Sequence, residues 1–262
     1  SLQLFVERPE AVQKTFTLTG ANALAVAQLC YRLEGIPMAI ELAAAQVRVM
    51  TVEQIAARLD SSMGLLAGKN QEGQMRQQTL RTTLDWSYTL LTEPERLLLQ
   101  RLSVFAGGWT LEAAEAICTD TTLTEILPHV TALVDKSLVS FAEGEAKTGG
   151  RFRMLEMVRQ FASEQLSASG EAPNFLARHQ EWFVALAEEA ALRLSGAEQA
   201  ETLRRLETEY DNLRAILVRS EQGTCSAEDA LRLACALRLY WYMRGDFSAA
   251  QKYLAQALEH RD

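Results

Sequence analysis

The sequence predicts a mainly α-helical protein in three parts: a helical bundle, a winged-helix domain with a small β-hairpin, and an α-helical repeat region of tetratricopeptide type. Three observations carry this expectation. Apolar residues recur at helical spacing along nearly the whole chain. The period changes only around residues 138–155, where two short β-type runs, 138–141 and 151–155, flank a glycine-rich tip. The last segment, "GDFSAAQKYLAQALE", has the form of the turn and second helix of a repeat.

The elements follow in order. Residues 2–8 read as a short helix stopped by Pro9, and "NALAVAQLCYRL" as a second. The third helix, residues 37–50, starts after "EGIP". There Gly35 is placed to close the preceding helix in the left-handed conformation, and Pro37 to open the next at a position that needs no amide hydrogen. Such a Gly-x-Pro corner serves either as a packed helix–helix turn or as a rigid surface against a nucleotide base. Thr51 then caps "VEQIAARL", with Glu53 in the first turn where the helix dipole favours a carboxylate. Residues 1–66 are thus expected to form the helical bundle.

Residues 67–78, "AGKNQEGQMRQQ", lose the periodicity and read as a linker. The winged-helix domain is expected over 79–168. It begins with the helix "TLRTTLDWSYTLL", followed by "TEPERLLLQRLSVF", whose Thr92 and Glu95 stand in capping-box register with Pro94 in the first turn. After "AGGW", Thr110 caps "LEAAEAIC", and "LTEILPHVTALVDKS" gives a helix that kinks or restarts at Pro128. The hairpin and the helix "EMVRQFASEQL" complete it.

Residues 169–262 are expected to be the repeat region, with helices over 174–194, 198–220, 227–244 and 248–260. One repeat covers its own apolar face poorly, so further repeats are expected beyond the chain. The aromatic run Tyr240, Trp241 and Tyr242 either fills the space between repeat helices or binds a partner.

Composition limits function. The formal charge of -8 opposes a surface that mostly faces duplex DNA or an anionic membrane. No apolar run approaches the ~20 residues that span a bilayer, so a cytoplasmic protein is expected. Cys30, Cys118, Cys225 and Cys235 stand singly in apolar helical patterns and read as buried thiols of a reducing compartment. His129, His179 and His260 share no metal-type spacing with them.

The long blocks "CYRLEGIPMAIELAAAQVRVMTVEQIAARL" and "QQTLRTTLDWSYTLLTEPERLLLQRLSVFAGGWTLEAAEAIC", with "RFRMLEMVRQFA" after the hairpin, resemble the C-terminal part of NB-ARC-type signalling ATPases, also called STAND or AP-ATPases. More narrowly, the first two blocks look like their bacterial, transcriptional-regulator-type branch. It covers most of residues 1–168. The resemblance implies an upstream P-loop domain that binds ATP or ADP with magnesium. No G-x-x-x-x-G-K-[ST] occurs in this chain, which is therefore expected to carry no cofactor of its own and not to be an enzyme.

The resemblance further implies roles for two short motifs. Gly35, Ile36, Pro37 and Met38 match the family's Gly-Leu-Pro-Leu motif, in which Pro37 would pack on the adenine or ribose side of a nucleotide held by the missing domain. Leu155 and Glu156 match the family's Met-His-Asp motif after Met154. Leu155 replaces its phosphate-sensing histidine and cannot donate a hydrogen bond, so Leu155 is expected in the core at the strand-to-helix corner.

The favoured reading is a regulatory fragment in which bundle and winged helix gate nucleotide on the upstream domain while the repeats sense a protein or small-molecule inducer. The alternatives are a DNA-binding winged-helix regulator and a repeat-type interaction scaffold. Against DNA binding by this chain stands its candidate recognition helix, where Glu125 and Asp135 oppose Lys136 and His129. Arg151, Arg153 and Arg159 could form a small basic patch.

Overall fold

Caps and breakers divide the chain into helices much as the pattern requires. The computed structural model describes residue 5 and residues 18–20, 22–64, 72–143 and 150–259. The expected helix over 2–8, apart from Phe5, and residues 67–71 of the expected linker lie outside the described residues. The fold is mostly helical, with a winged-helix domain and a small two-stranded antiparallel sheet. No helix among the described residues is long and apolar enough to cross a membrane.

The chain divides into two compact units. The first holds residues 1–99, 127–140 and 155–161, and the second holds residues 100–126, 141–154 and 162–262.

In the first unit, α1 (Ala23–Arg32) buries Val26, Leu29 and Cys30. Gly35 follows it at φ +67°, and Pro37 opens α2 (Pro37–Ala45). The apolar α2 buries Ala39, Ile40, Leu42, Ala43 and Ala44. It stops earlier than expected, because residues 46–48 tighten into a 3₁₀ turn. At the start of α3 (Val52–Gly64) the cap is reciprocal: the Gln54 amide donates to Thr51 Oγ1 at 3.3 Å, and the Thr51 amide donates to Gln54 Oε1 at 3.0 Å. Gln54 supplies the returning side chain, and Glu53 stands in the first turn as expected.

The next helix, α4 (Glu72–Thr89), begins upstream of the expected Thr79 and packs on α2 and α3. In α5 (Glu93–Leu102) the side chain of Glu95 reaches back to the Thr92 amide at 2.7 Å. Beyond residue 126 the chain returns to this unit with α7 (Leu127–Asp135), which has Pro128 in its first turn. Lys136 Nζ reaches the buried Glu95 carboxylate at 2.6 Å. Burial alone would push the Glu95 carboxyl up, but its bonds to Lys136 and the Thr92 amide outweigh this and hold it below its usual range.

The second unit contains α6 (Leu111–Cys118), capped by Thr110 Oγ1 accepting from the Ala113 amide at 3.2 Å. Strands β1 (Ser140–Ala142) and β2 (Arg151–Arg153) form the hairpin, and Trp109 adds an antiparallel bridge to Phe152. Phe105, Trp109 and Phe152 stack in sequence, with ring centroids 5.3 and 6.4 Å apart.

After α8 (Glu156–Ser169) come α9 (Ala172–Arg193), α10 (Gln199–Glu221), α11 (Ala227–Arg244) and α12 (Phe247–Glu259). The strongest packing is α11 on α12 and α9 on α11. Gly245 ends α11 at φ +71°, as the turn of a helix pair requires.

Two expectations about burial need correction. Leu155 is 56% exposed, because it precedes α8 with its carbonyl serving the Arg159 amide and its side chain left outside. Of the four cysteines Cys30 and Cys118 are buried, but Cys225 is half-buried and Cys235 is exposed. In α11 the inner face is taken by Leu233, Ala234 and Leu237, which leaves Cys235 on the outer one.

Candidate functional site

At the Gly-x-Pro corner, local geometry presents the proline ring outward. The Gly35 amide donates to Cys30 O at 3.1 Å and the Ile36 amide to Leu33 O at 2.9 Å, closing α1. Ile36 is extended, at φ -66° and ψ 116°, which turns the chain into α2. Gly35 and Pro37 are exposed and Ile36 and Met38 half-buried, while Ala39 and Ile40 are wholly buried. The four residues thus form a surface corner anchored by the residues that follow.

The second motif is also at the surface. Glu156 starts α8 and takes a two-point ion pair from Arg159, at 2.7 and 2.8 Å, with Gln160 adding 3.0 Å. The Arg159 guanidinium holds the Glu156 carboxyl below its usual range. Because Leu155 is exposed, Leu155→Ala is expected to change the unfolding free energy by less than about 0.5 kcal/mol. Urea denaturation checks this, and a loss of about 2 kcal/mol or more would return Leu155 to the core.

The aromatic run splits by face. Trp241 is fully buried, stacked on Tyr253 at 5.9 Å and donating from Nε1 to Tyr210 Oη at 3.3 Å. Tyr240 is buried against Tyr210 at 5.5 Å. Only Tyr242 faces outward, 66% exposed, with its ring edge-to-face on Phe247 at 6.0 Å. Two of the three residues therefore join helices, and one remains at the surface.

In a winged helix the element that enters a DNA groove corresponds to α7. It buries Val130 and Leu133 and exposes Leu127, Pro128 and Thr131, an outward set without a cation. Its end is tied within the first unit, where Arg48 Nη1 lies 2.7 Å from Asp135 Oδ2. A cleft of about 360 Å³ opens beside this pair, lined by Ala45, Gln46, Arg48, Val49, Ala132 and Asp135, with Lys136 at its edge.

Further cations along residues 91–167 have acceptors within their own units. Arg96 donates to the Tyr88 and Thr89 carbonyls, and Arg101 to Cys118 O and Asp120. Arg151 pairs with Glu209 of α10. Arg151 and Arg159, proposed from sequence as parts of a basic patch, are each engaged by a carboxylate.

Sequence reasoning missed the polar groups on α10. Asn212 is fully buried; its Oδ1 accepts from the Ala106 amide at 2.7 Å, and its Nδ2 donates to Gly108 O at 2.9 Å. Glu209, one turn before, bonds both Asn212 and Arg151. Gly107 allows this close approach, since a Cβ there would stand 2.5 Å from Asp211 Oδ2, and Gly108 allows that of β2, where a Cβ would stand 2.8 Å from Phe152 O. The available signal was polar residues at inward positions, since Glu209 and Asn212 lie between Leu206 and Ile216 at helical spacing.

Comparison with known proteins finds the winged helix in this chain. A family profile described as a winged helix-turn-helix domain matches residues 91–167. A Mycobacterium tuberculosis protein named "Putative HTH-type transcriptional regulator" is 42% identical over 262 residues, covering 99% of this chain and 29% of the relative. A Mycobacterium bovis protein of the same description matches equally. An uncharacterized protein of Mycobacterium tuberculosis is 40% identical over 182 residues, covering 68% of this chain and 46% of the relative. The chain therefore spans less than half the length of these relatives. No solved structure matches. The chain carries a winged helix-turn-helix domain and is homologous to proteins named as HTH-type transcriptional regulators.

Proposed function

We propose that this chain is the regulatory segment of a transcriptional regulator, in which the winged helix relays a signal within the protein rather than reading DNA. The carrying observation is the state of α7: Asp135 at its end is bound by Arg48, and the adjacent Lys136 is spent on Glu95. A helix that must neutralise several phosphates needs cations it can present.

In the finer form of this reading the parent is a STAND-type ATPase. The exposed Pro37 corner would meet adenine nucleotide on an upstream P-loop domain, and helices 169–262 would receive a protein or small-molecule inducer. Nucleotide exchange would then shift the population between two arrangements.

The second reading, direct DNA binding, draws support from the winged helix-turn-helix match and from the relatives' name. One experiment separates the two. Fluorescence anisotropy of the chain with random duplex DNA, from about 50 to 200 mM salt, is expected to show no binding at micromolar protein; a phosphate-contacting domain would instead bind with an affinity that falls steeply over that range. Salt-dependent binding that is lost on substituting Thr131 and His129 would establish α7 as a DNA reader.

A further inference from the structure

The outward face of α11 carries a row of residues that the fold leaves open. Glu228, Leu231, Cys235, Arg238 and Tyr242 follow one another at alternating steps of three and four. That spacing keeps them on one stripe, as in the seam between two paired helices. Glu228, Cys235, Arg238 and Tyr242 are exposed and Leu231 is half-buried, while Ala230, Leu233, Ala234 and Leu237 turn the other way into the core.

Charge along the stripe is complementary to itself. Glu228 and Arg238 have no ion pair or hydrogen bond among the described residues. Asp229 and Arg232 beside them are spent on each other and on Gln180 and Glu188. At 1.5 Å per residue the two free charges stand about 15 Å apart along the helix, equally far from Leu233. A two-fold axis at that level, running a second α11 in the opposite direction, sets each Glu228 against an Arg238 and each Leu231 against a Cys235. A parallel pair would instead set Glu228 against Glu228 and Arg238 against Arg238, which repel.

We infer that this stripe is a homotypic interface: α11 packs antiparallel on α11 of a second copy of this chain, with two Glu228–Arg238 ion pairs flanking a centre of Leu231 and Cys235. Exposed ion pairs contribute little attraction each, so the charges set direction and register while the apolar centre supplies association. A single helix pair buries a small area, so the dimer is weak and depends on concentration. It forms whether or not the winged helix reads DNA.

The test is sedimentation equilibrium of the 262-residue chain. From about 5 to 500 µM it should show exchange between monomer and dimer. Arg238→Glu and Glu228→Arg each place like charges at both ends of the seam, and each should weaken the dimer about ten-fold or more. The double variant with both reversals again sets opposite charges across the axis, and its dimer should return to within about three-fold of the wild type. Both positions are at the surface, and circular dichroism and urea midpoints verify that each variant is folded.

Three results would overturn the proposal. A chain that stays monomeric to the highest concentration would leave the stripe to a different partner. A dimer indifferent to both single reversals would lie on another surface. A folded double variant that dimerises as weakly as the single ones would show that Glu228 and Arg238 do not face each other across the axis.

Discussion

Arg101→Ala is expected to destabilise the second unit by about 3–5 kcal/mol, because it removes a buried guanidinium that satisfies a carbonyl, a hydroxyl and a half-buried carboxylate at once. The guanidinium is 1% exposed. Its Nη1 donates to Cys118 O at 2.8 Å, and its Nη2 donates to Asp120 Oδ2 at 2.7 Å and Thr122 Oγ1 at 3.0 Å. It also lies 4.4 Å from the centroid of Phe175. Removal leaves a helix-end carbonyl without its donor, a carboxylate without its cation, and a void against the ring. Arg101→Lys keeps the charge but cannot span these acceptors with one ammonium, so a smaller loss of about 1–3 kcal/mol is expected.

The pH dependence of this variant follows from Asp120. Burial raises its carboxyl, but bonds from Thr122, Arg101 and the Leu123 and Thr122 amides outweigh burial and hold it well below the usual carboxylate range. A folded-state pKa depressed below the unfolded value contributes stability that is full above about pH 4 and lost as pH falls further. The gap between wild type and Arg101→Ala should therefore be widest at neutral pH and shrink below about pH 4. Urea titrations at several pH values measure this, and a gap independent of pH would mean that the Asp120 pairing carries little of the loss.

Local rules made much of the fold legible. Thr51, Thr92 and Thr110 each marked a helix start that the structure contains, since an N-cap depends only on neighbours within one turn. Gly35 marked a left-handed ending for the same reason, and the structure adds another at Gly245. The change of period at the hairpin was similarly local; at Pro128 the helix starts rather than restarts, since residues 123–126, expected as its first part, are not helical. Leu155 was misread because a large apolar residue beside an amphipathic helix has no periodicity of its own, and a strand-to-helix corner can aim it either way. The Arg48–Asp135 tie joins residues far apart in sequence, each in a pattern that suits a solvated helix end, and no spacing rule links them. Among the aromatic residues, the run Tyr240 to Tyr242 necessarily presents different faces along a helix, so no single role could hold for all three.

Asn212→Ala is expected to cost about 3–5 kcal/mol, since this one side chain satisfies several groups at once. Its Oδ1 and Nδ2 hold the Ala106 amide and Gly108 carbonyl, which fixes the turn leading into Trp109. His179 Nε2 lies 3.3 Å from the same Oδ1, and Arg219 lies 3.3 Å from His179 Nδ1. Arg219 can only donate to Nδ1, so the proton sits on Nε2 and is given to Asn212. Burial, helped by Arg219, pushes the His179 imidazole down to about 3, so it stays neutral in the folded protein. An unfolded histidine titrates near 6.5, so the wild type should be fully stabilised by this term above about pH 6.5 and lose stability as pH falls toward the folded value. Removing Asn212 leaves the Gly108 carbonyl and the His179 N–H without partners in the core. It also frees one side of Glu209, which then holds Arg151 alone. A double-mutant cycle of Asn212→Ala with Arg151→Ala should therefore show coupling of about 0.5–3 kcal/mol, as neighbours in one hydrogen-bond network do. Strictly additive losses, or an Asn212→Ala loss below about 0.5 kcal/mol, would show that the turn before Trp109 is held by its aromatic stack rather than by α10.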